Sequence, residues 1–168
     1  PAVKVVISAK DIAVNVKDNE KLDIYYNGKL VLSDYENARK KSEKNPYEDL
    51  AVAELEGHTV GKDESSSDAV TIVKKLGKDD AIYGLGDKPG CLNKRGYSYV
   101  NWNTDDPAPH VDSFKSLYKS IPFFMVLGDD YCYGIFADNT YKTTFDFGFE
   151  NTDYYFIEHE KGELDYYF

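Results

Sequence analysis

The sequence has little of what marks disulfide-rich or membrane proteins. Its 168 residues include only two cysteines, Cys91 and Cys132, which allow at most one pair and so no disulfide framework. No apolar run is long enough to span a bilayer, and we expect no membrane partner. The sequence also lacks an Asn-x-Ser/Thr acceptor and an apolar leader segment. The simplest expectation is therefore a reducing, cytoplasmic setting.

Residues that bind metals are also scarce. The three histidines, His58, His110 and His159, lie far apart, and no Cys-x-x-Cys, His-x-x-x-His or EF-hand pattern occurs. A nucleophile elbow of the type Gly-x-Ser-x-Gly is missing, although a triad assembled from distant residues would leave no such spacing. We therefore expect no metal ion and no cofactor, and we interpret His110 as a loop residue that makes a structural hydrogen bond.

Positively charged residues are also few. The chain has 20 Lys plus Arg against 30 Asp plus Glu, for a net charge of -10 and a pI of about 4.7. No run of five basic residues occurs, which argues against nucleic acid as a partner. Aromatic residues, in contrast, are plentiful, with 15 Tyr and 9 Phe. This composition favours strands over helices, and the length suits one domain.

Short alternating apolar segments predict an all-β chain. The clearest is residues 21–34, where apolar alternation flanks Asn27-Gly28, a pair typical of a type I′ hairpin turn. Further strands are predicted near residues 3–16, 70–76, 121–128, 131–138, 142–148, 154–160 and 164–168. About ten short strands separated by turns favour a β-sandwich.

Residues 36–68 have a different character. They are highly charged, are interrupted by Pro46, and contain EDLAVAELEG, which is typical of a short helix ending at Gly57. We predict a surface excursion with one short helix at this position and not a second domain.

Two glycine-containing stretches call for structural interpretations. YGLGDKPG (83–90) has the spacing G-x-G-x-x-x-G without a following helical pattern, so it predicts a tight strand-to-loop transition and not a phosphate-binding loop. In NKRGYSY (93–99), we expect Lys94 and Arg95 to be ion-pair partners or part of a solvated turn. A role in orienting the neighbouring acids is the alternative.

The stretch NWNTDDPAPH (101–110) is the strongest candidate site. Its two prolines fix φ and remove backbone donors, which predicts a stiff loop. Asn103, and Asp105 or Asp106, could simply cap turns through bonds to their own backbone. The alternative is that the loop presents a carboxylate to the vicinal hydroxyls of a sugar, while Trp102 or a tyrosine stacks on the pyranose face. The residues alone leave both interpretations open.

The order of several sequence blocks suggests a family. IYGLGDKPGCLNKRGYSYVNWNTDDPAPHVDSFKSLYKSIPFFMVL (82–127), followed by YGIFADNTYKTTFDFG (133–148), resembles the N-terminal domain of glycoside hydrolase family 31, the α-glucosidases of bacterial type. The upstream hairpin fits more loosely, and residues 36–68 carry little of the resemblance. Asp87 stands where the family usually has glutamate, so the acid is kept with a shorter side chain.

The resemblance implies a galactose mutarotase-like β-sandwich (a supersandwich) over residues 1–168. In the family this domain precedes a (β/α)8 barrel that retains anomeric configuration with two carboxylates, roughly 5–5.5 Å apart. A barrel needs about 250 residues and cannot fit in this chain. The resemblance therefore implies no catalytic residue here, and the isolated chain is expected to be inactive.

The resemblance also implies partners. The chain would pack on the barrel of the same parent protein and share its α-glucoside substrate, with Asp105, or less favourably Asp106, contacting the sugar. One alternative is a stand-alone carbohydrate-binding module, which needs an exposed aromatic platform. Another is a mutarotase-like enzyme, which needs a histidine and a glutamate that converge on a concave face.

Overall fold

The chain folds as strands throughout the part that the structure describes. This computed structural model describes residues 1–39, 68–107 and 109–168, and its regular elements there are all β-strands. In chain order they are β1 (Val3–Ala9), β2 (Ile12–Lys17), β3 (Leu22–Tyr26), β4 (Lys29–Ser33), β5 (Val70–Lys75), β6 (Ala81–Gly84), β7 (Ser98–Asn101), β8 (Phe123–Leu127), β9 (Cys132–Ala137), β10 (Thr143–Asp146), β11 (Tyr154–His159) and β12 (Tyr166–Tyr167). The predicted all-β class is confirmed. The helix predicted to end at Gly57 lies outside the described residues.

The first sheet is an antiparallel meander in the order β1-β2-β3-β4. Its β3–β4 turn has positive φ at both central residues, 48° at Asn27 and 76° at Gly28, which confirms the predicted hairpin. Burial grows across the meander. Ile7 in β1 is 62% exposed, whereas Ile24 in β3 and Leu32 in β4 are almost fully buried. The meander therefore packs on the rest of the protein through its β3–β4 side.

The second and third sheets form the sandwich. The second sheet has the order β5-β11-β10-β7 and the third has the order β12-β9-β8-β6, with antiparallel pairing throughout. Aromatic rings fill the space between them. The ring of Phe124 lies 6.0, 4.8 and 5.5 Å, centroid to centroid, from the rings of Phe145, Phe147 and Tyr155. These edge-on and tilted contacts make a continuous core across the two layers.

A buried lysine joins all three sheets. Lys74 in β5 is 1% exposed, and its ammonium group lies 2.5 Å from the carboxylate of Asp34, just beyond β4. The same group donates a 2.9 Å hydrogen bond to the hydroxyl of Tyr166 in β12. Asp34 also accepts the backbone N–H of Leu22 in β3 at 2.8 Å. One charged group thereby connects the meander, the second sheet and the third sheet.

Replacing this lysine should destabilise the fold. Lys74→Met removes the ammonium group but leaves the Asp34 carboxylate largely buried, a change that typically costs about 3–5 kcal/mol. The neighbouring Lys75 is exposed, so Lys75→Met should change stability by no more than about 0.5 kcal/mol. Urea denaturation of both variants measures the difference. Equal stabilities would show that Lys74 does not hold the sheets together.

Candidate functional site

The candidate site is the loop that connects β7 to β8, residues 102–122, here called the proline loop. Hydrogen bonds close its base. The backbone N–H of Val100 donates to the carbonyl of Lys115 at 2.9 Å, and the hydroxyl of Ser116 donates to the carbonyl of Trp102 at 2.6 Å. The hydroxyl of Thr104 donates to that same Trp102 carbonyl at 3.0 Å. Both arms of the loop are therefore fastened to the end of β7.

A side-chain cap fastens the loop near its far end. The Asn103 side-chain carbonyl accepts the backbone N–H of Ser120 at 3.0 Å. This bond joins residues 17 positions apart, so it is a contact across the loop and not the local turn cap considered from the sequence. The cap links the two arms of the loop and leaves the following acids for other contacts.

The two acids sit in different surroundings. Asp105 is exposed and Asp106 is half-buried. Partial desolvation, the charge of Asp105 and a hydrogen bond from the Tyr118 hydroxyl to the Asp105 carboxylate raise the pKa of Tyr118. Trp102 is 55% exposed at the point where the loop leaves β7. The structure thus places all three predicted residues on one loop, and their contact with a sugar stays a prediction.

One buried lysine contacts the loop, and a second holds the backbone that carries the first. Lys88 is 8% exposed, its ammonium group lies 3.4 Å from the carbonyl of Leu117, and burial lowers its pKa to about 8. The ammonium group of Lys94 donates to the carbonyls of Lys88 at 3.0 Å and Pro89 at 3.1 Å. Tyr118 and Lys88 were not singled out from the sequence, although both lie in the block of residues 82–127 that resembles family 31.

Lys94 and Arg95 differ from their predicted roles as ion-pair partners or residues of a solvated turn. Arg95 donates to the carbonyls of Gly77 at 2.7 Å, Asp80 at 3.0 Å and Thr152 at 3.2 Å. Like Lys94, it satisfies backbone acceptors where strands turn. The reason is geometric: the carbonyls of tight turns have no ladder partner, and a long cationic side chain can reach several of them.

The glycine-rich stretch anchors the other side of the loop. Gly84 has φ 137°, and a Cβ at this position would come within 2.5 Å of the carbonyl oxygen of Phe123. Leu85, fully buried, has φ 63°. A Cβ at Gly86 would meet the side chain of Ile121 at 2.9 Å. The predicted strand-to-loop transition is confirmed, and it holds the C-terminal end of the proline loop. The Asp87 carboxylate lies 3.0 Å from the Lys119 ammonium group on the surface.

Within residues 1–39, 68–107 and 109–168, no group of three or more His, Cys, Asp or Glu side chains is placed to hold a metal ion. The ring of His110 packs against Phe114, with centroids 4.8 Å apart, in place of the predicted hydrogen bond. His159 is buried, and its Nδ1 lies 2.8 Å from the Thr143 hydroxyl, while burial lowers its pKa. Cys91 and Cys132 are both free and exposed.

A second cluster of charges lies on the second sheet, outside the proline loop. The Arg39 guanidinium group binds both carboxylate oxygens of Glu150, at 2.7 and 2.9 Å, and reaches Glu158 at 2.6 Å. It stacks 3.6 Å from the ring centroid of Phe156. The nearby Asp146 is 2% exposed and accepts two backbone N–H groups on one oxygen. The partners are all within the chain, so we interpret the cluster as structural.

Asp146 should make stability depend on pH. Burial, with a smaller contribution from Glu150, raises its pKa to about 6, above its ordinary value of 3.8. The folded state therefore holds this proton more tightly than the unfolded state. The resulting stabilisation is complete below pH 4 and is lost as the pH rises to about 6, a change of about 3 kcal/mol.

Asp146→Asn tests this dependence, because the amide oxygen can still accept both N–H groups but never becomes charged. Relative to the parent protein, the variant should gain stability between pH 4 and pH 7. Asp153→Asn, at an exposed turn, should show no such gain. Urea denaturation across this pH range gives the comparison, and parallel curves for the parent and Asp146→Asn would contradict the interpretation.

Comparison with known proteins establishes the family. A family model described as the glycosyl hydrolase 31 N-terminal galactose mutarotase-like domain matches residues 2–146. The chain belongs to this family. The resemblance inferred from the sequence blocks and the mutarotase-like sandwich are both confirmed.

The relatives of this family 31 domain are much longer proteins. The chain is 47% identical over 98 residues to alpha-glucosidase 2 of Bacillus thermoamyloliquefaciens, covering 58% of this chain and 12% of the relative. It is 33% identical over 92 residues to alpha-xylosidase XylQ of Lactiplantibacillus pentosus, covering 55% and 11%. A solved dextranase of Flavobacterium johnsoniae, complexed with isomaltotriose, matches with a TM-score of 0.70 and 33% identity over 98% of this chain and 18% of its own.

The described part of the chain contains no helix long and apolar enough to cross a membrane.

Proposed function

We propose that this chain is the non-catalytic N-terminal domain of an α-glucosidase, which packs on a (β/α)8 barrel and contributes a substrate-contacting loop. The observation that carries the proposal is the exposed Asp105 carboxylate, oriented by Tyr118 on a loop whose base is fastened to β7. Hydrogen bonds from sugar hydroxyls to a carboxylate are charge-assisted and strong. A stiff loop loses little entropy when the sugar binds, so the carboxylate can be presented ready for contact.

The nature of the relatives supports the substrate class. Proteins named alpha-glucosidase and alpha-xylosidase share this domain, and both names describe cleavage of α-linked sugars. The chain spans about an eighth of their length, so most of each relative lies outside the matched domain. We therefore assign the chemistry to the remainder of the parent protein and the positioning of substrate to the proline loop. The two free thiols fit a reducing compartment, which we retain as part of the proposal.

The Asp105→Ala substitution tests the role of the loop in the longer protein that carries this domain. A hydrogen bond to a charged group contributes about 1.5–3 kcal/mol, so kcat/KM for an α-glucoside should fall roughly 10- to 100-fold. Asp105 is exposed, so the melting temperature should stay unchanged. Asp106→Ala is the matched control and should have the smaller kinetic effect.

Tyr118→Phe refines this test, because it removes the hydroxyl that orients Asp105 and keeps the ring. The kcat/KM of Tyr118→Phe should lie between that of the parent protein and that of Asp105→Ala. If Asp105→Ala lowers the melting temperature and spares the kinetics, the carboxylate only caps a turn. A larger kinetic effect of Asp106→Ala would assign the sugar contact to that residue.

The isolated chain should neither hydrolyse glucosides nor bind them well. Pocket ligands typically bury most of their surface, whereas a single exposed loop covers little of a sugar. We expect maltose to bind with a Kd above ~1 mM, which corresponds to a binding free energy no more favourable than about −4 kcal/mol. Calorimetric titration measures this affinity, and an aryl α-glucoside assay measures turnover. Micromolar binding would favour the carbohydrate-binding module, for which Trp102 and Tyr118, both about half exposed, would form the platform.

A further inference from the structure

The third sheet has two apolar faces. Its inner face packs into the core through Phe124 and Val126 of β8. On its outer face, Phe123 lies opposite Phe136, Met125 lies opposite Gly134, and Leu127 lies opposite Cys132.

The two flanking strands extend this outer face. Tyr83 of β6 pairs beside Met125, and Tyr167 of β12 pairs beside Phe136, with the last two rings 6.0 Å apart. Ala81 completes the row beside Leu127. None of the outward-facing residues of these four described strands is charged, although charged residues make up 30% of the chain.

The outer face is open to solvent in this chain. Phe123, Met125 and Leu127 are 41%, 42% and 46% exposed, and Tyr167 is 58% exposed. A strand that is apolar on both faces is typical of a sheet covered on both sides. Contiguous apolar patches of this kind on a protein surface mark interaction sites.

We propose that the outer face of the third sheet is the surface on which the catalytic domain of the same protein docks. This inference rests on the proposed function and adds the place of contact. The proline loop leads through Ile121, itself 43% exposed, directly into Phe123. A catalytic domain whose substrate contacts Asp105 lies at this end of the sandwich. It is therefore next to Phe123, the first residue of the outer face on β8.

The size of the outer face favours a domain of the same chain over a second copy. Its strands β6, β8, β9 and β12 have four, five, six and two residues. At about 3.3 Å per residue and about 4.8 Å between strands they present roughly 270 Å². A stable complex of separate proteins needs about 800 Å² on each partner. Contacts between domains of one chain cover roughly 300–750 Å² on each side, so this face is close to the lower end of that range. Such contacts can be small because the connecting chain has already removed most of the association entropy.

The only methionine of the chain is a probe of this face, since Met125 stands at its centre. Peroxide oxidation of Met125, followed by peptide mass spectrometry, should be at least about tenfold slower in the longer protein than in the 168-residue chain, because burial protects the thioether. Lys78→Cys in the exposed β5–β6 turn supplies a control thiol, which should react equally fast in both proteins.

Two matched substitutions test whether the face contributes to stability. Met125 and Leu30 are both apolar and similarly exposed, at 42% and 45%, but Leu30 lies in the first sheet. In the longer protein, Met125→Lys should lower the melting temperature and speed thiol labelling of Cys132, whereas Leu30→Lys should do neither. In the 168-residue chain both variants should melt at the parent temperature.

Three results would overturn the inference. The first is unchanged oxidation of Met125 in the longer protein. The second is an equal effect of Met125→Lys and Leu30→Lys. The third is sedimentation showing that the 168-residue chain dimerises, together with protection of Met125 from oxidation in that dimer. A second copy of the chain would then occupy the face. These results do not depend on Asp105. If Asp105→Ala leaves kcat/KM unchanged while Met125 is still protected from oxidation, only the proposed function is contradicted.

Discussion

The ammonium group of Lys74 is the constraint on which the arrangement of the three sheets depends. It has almost no contact with water, so its charge has to be matched by Asp34 and Tyr166, which come from different sheets. Taking a charge out of water is costly unless every partner is in place. The meander, the second sheet and β12 therefore adopt one relative position. The rows of apolar residues define the layers, and this ion pair sets how they meet.

The proline loop depends on the sandwich at both ends. Its first residues are bonded to the end of β7, and its last residues rest on Gly84 and Gly86 at the end of β6. Those two strands belong to different sheets, so the loop spans the two layers at one end of the sandwich. The position of Asp105 is consequently set by packing between sheets. Changes in the core near this end would displace the carboxylate without touching the loop itself.

Local patterns predicted local structure well. The Asn27-Gly28 hairpin, the strand-to-loop transition at Gly84 and the alternation of β8 follow from backbone sterics and residue period, which neighbouring residues determine. Contacts between distant residues were not predictable. Lys94 and Arg95 could not be matched to turn carbonyls before the turns were placed, and nothing near Tyr118 in the sequence indicates its bond to Asp105. The open outer face was missed for the same reason, since alternation shows which residues point inward but not what covers the other side.

The pairing of distant strands has a consequence for how the chain reaches its fold. β5 pairs with β11, so a loop of about 80 residues has to close before the second sheet exists, and such non-local pairing folds slowly. The β8–β9 hairpin needs only a short turn and can form in microseconds. Until the second sheet forms, both apolar faces of this hairpin are exposed to water, and exposed apolar strands are prone to intermolecular pairing. Asp129 and Asp130 in its turn place two like charges at the exposed end, which is the pattern of gatekeeper residues that oppose pairing with a second hairpin.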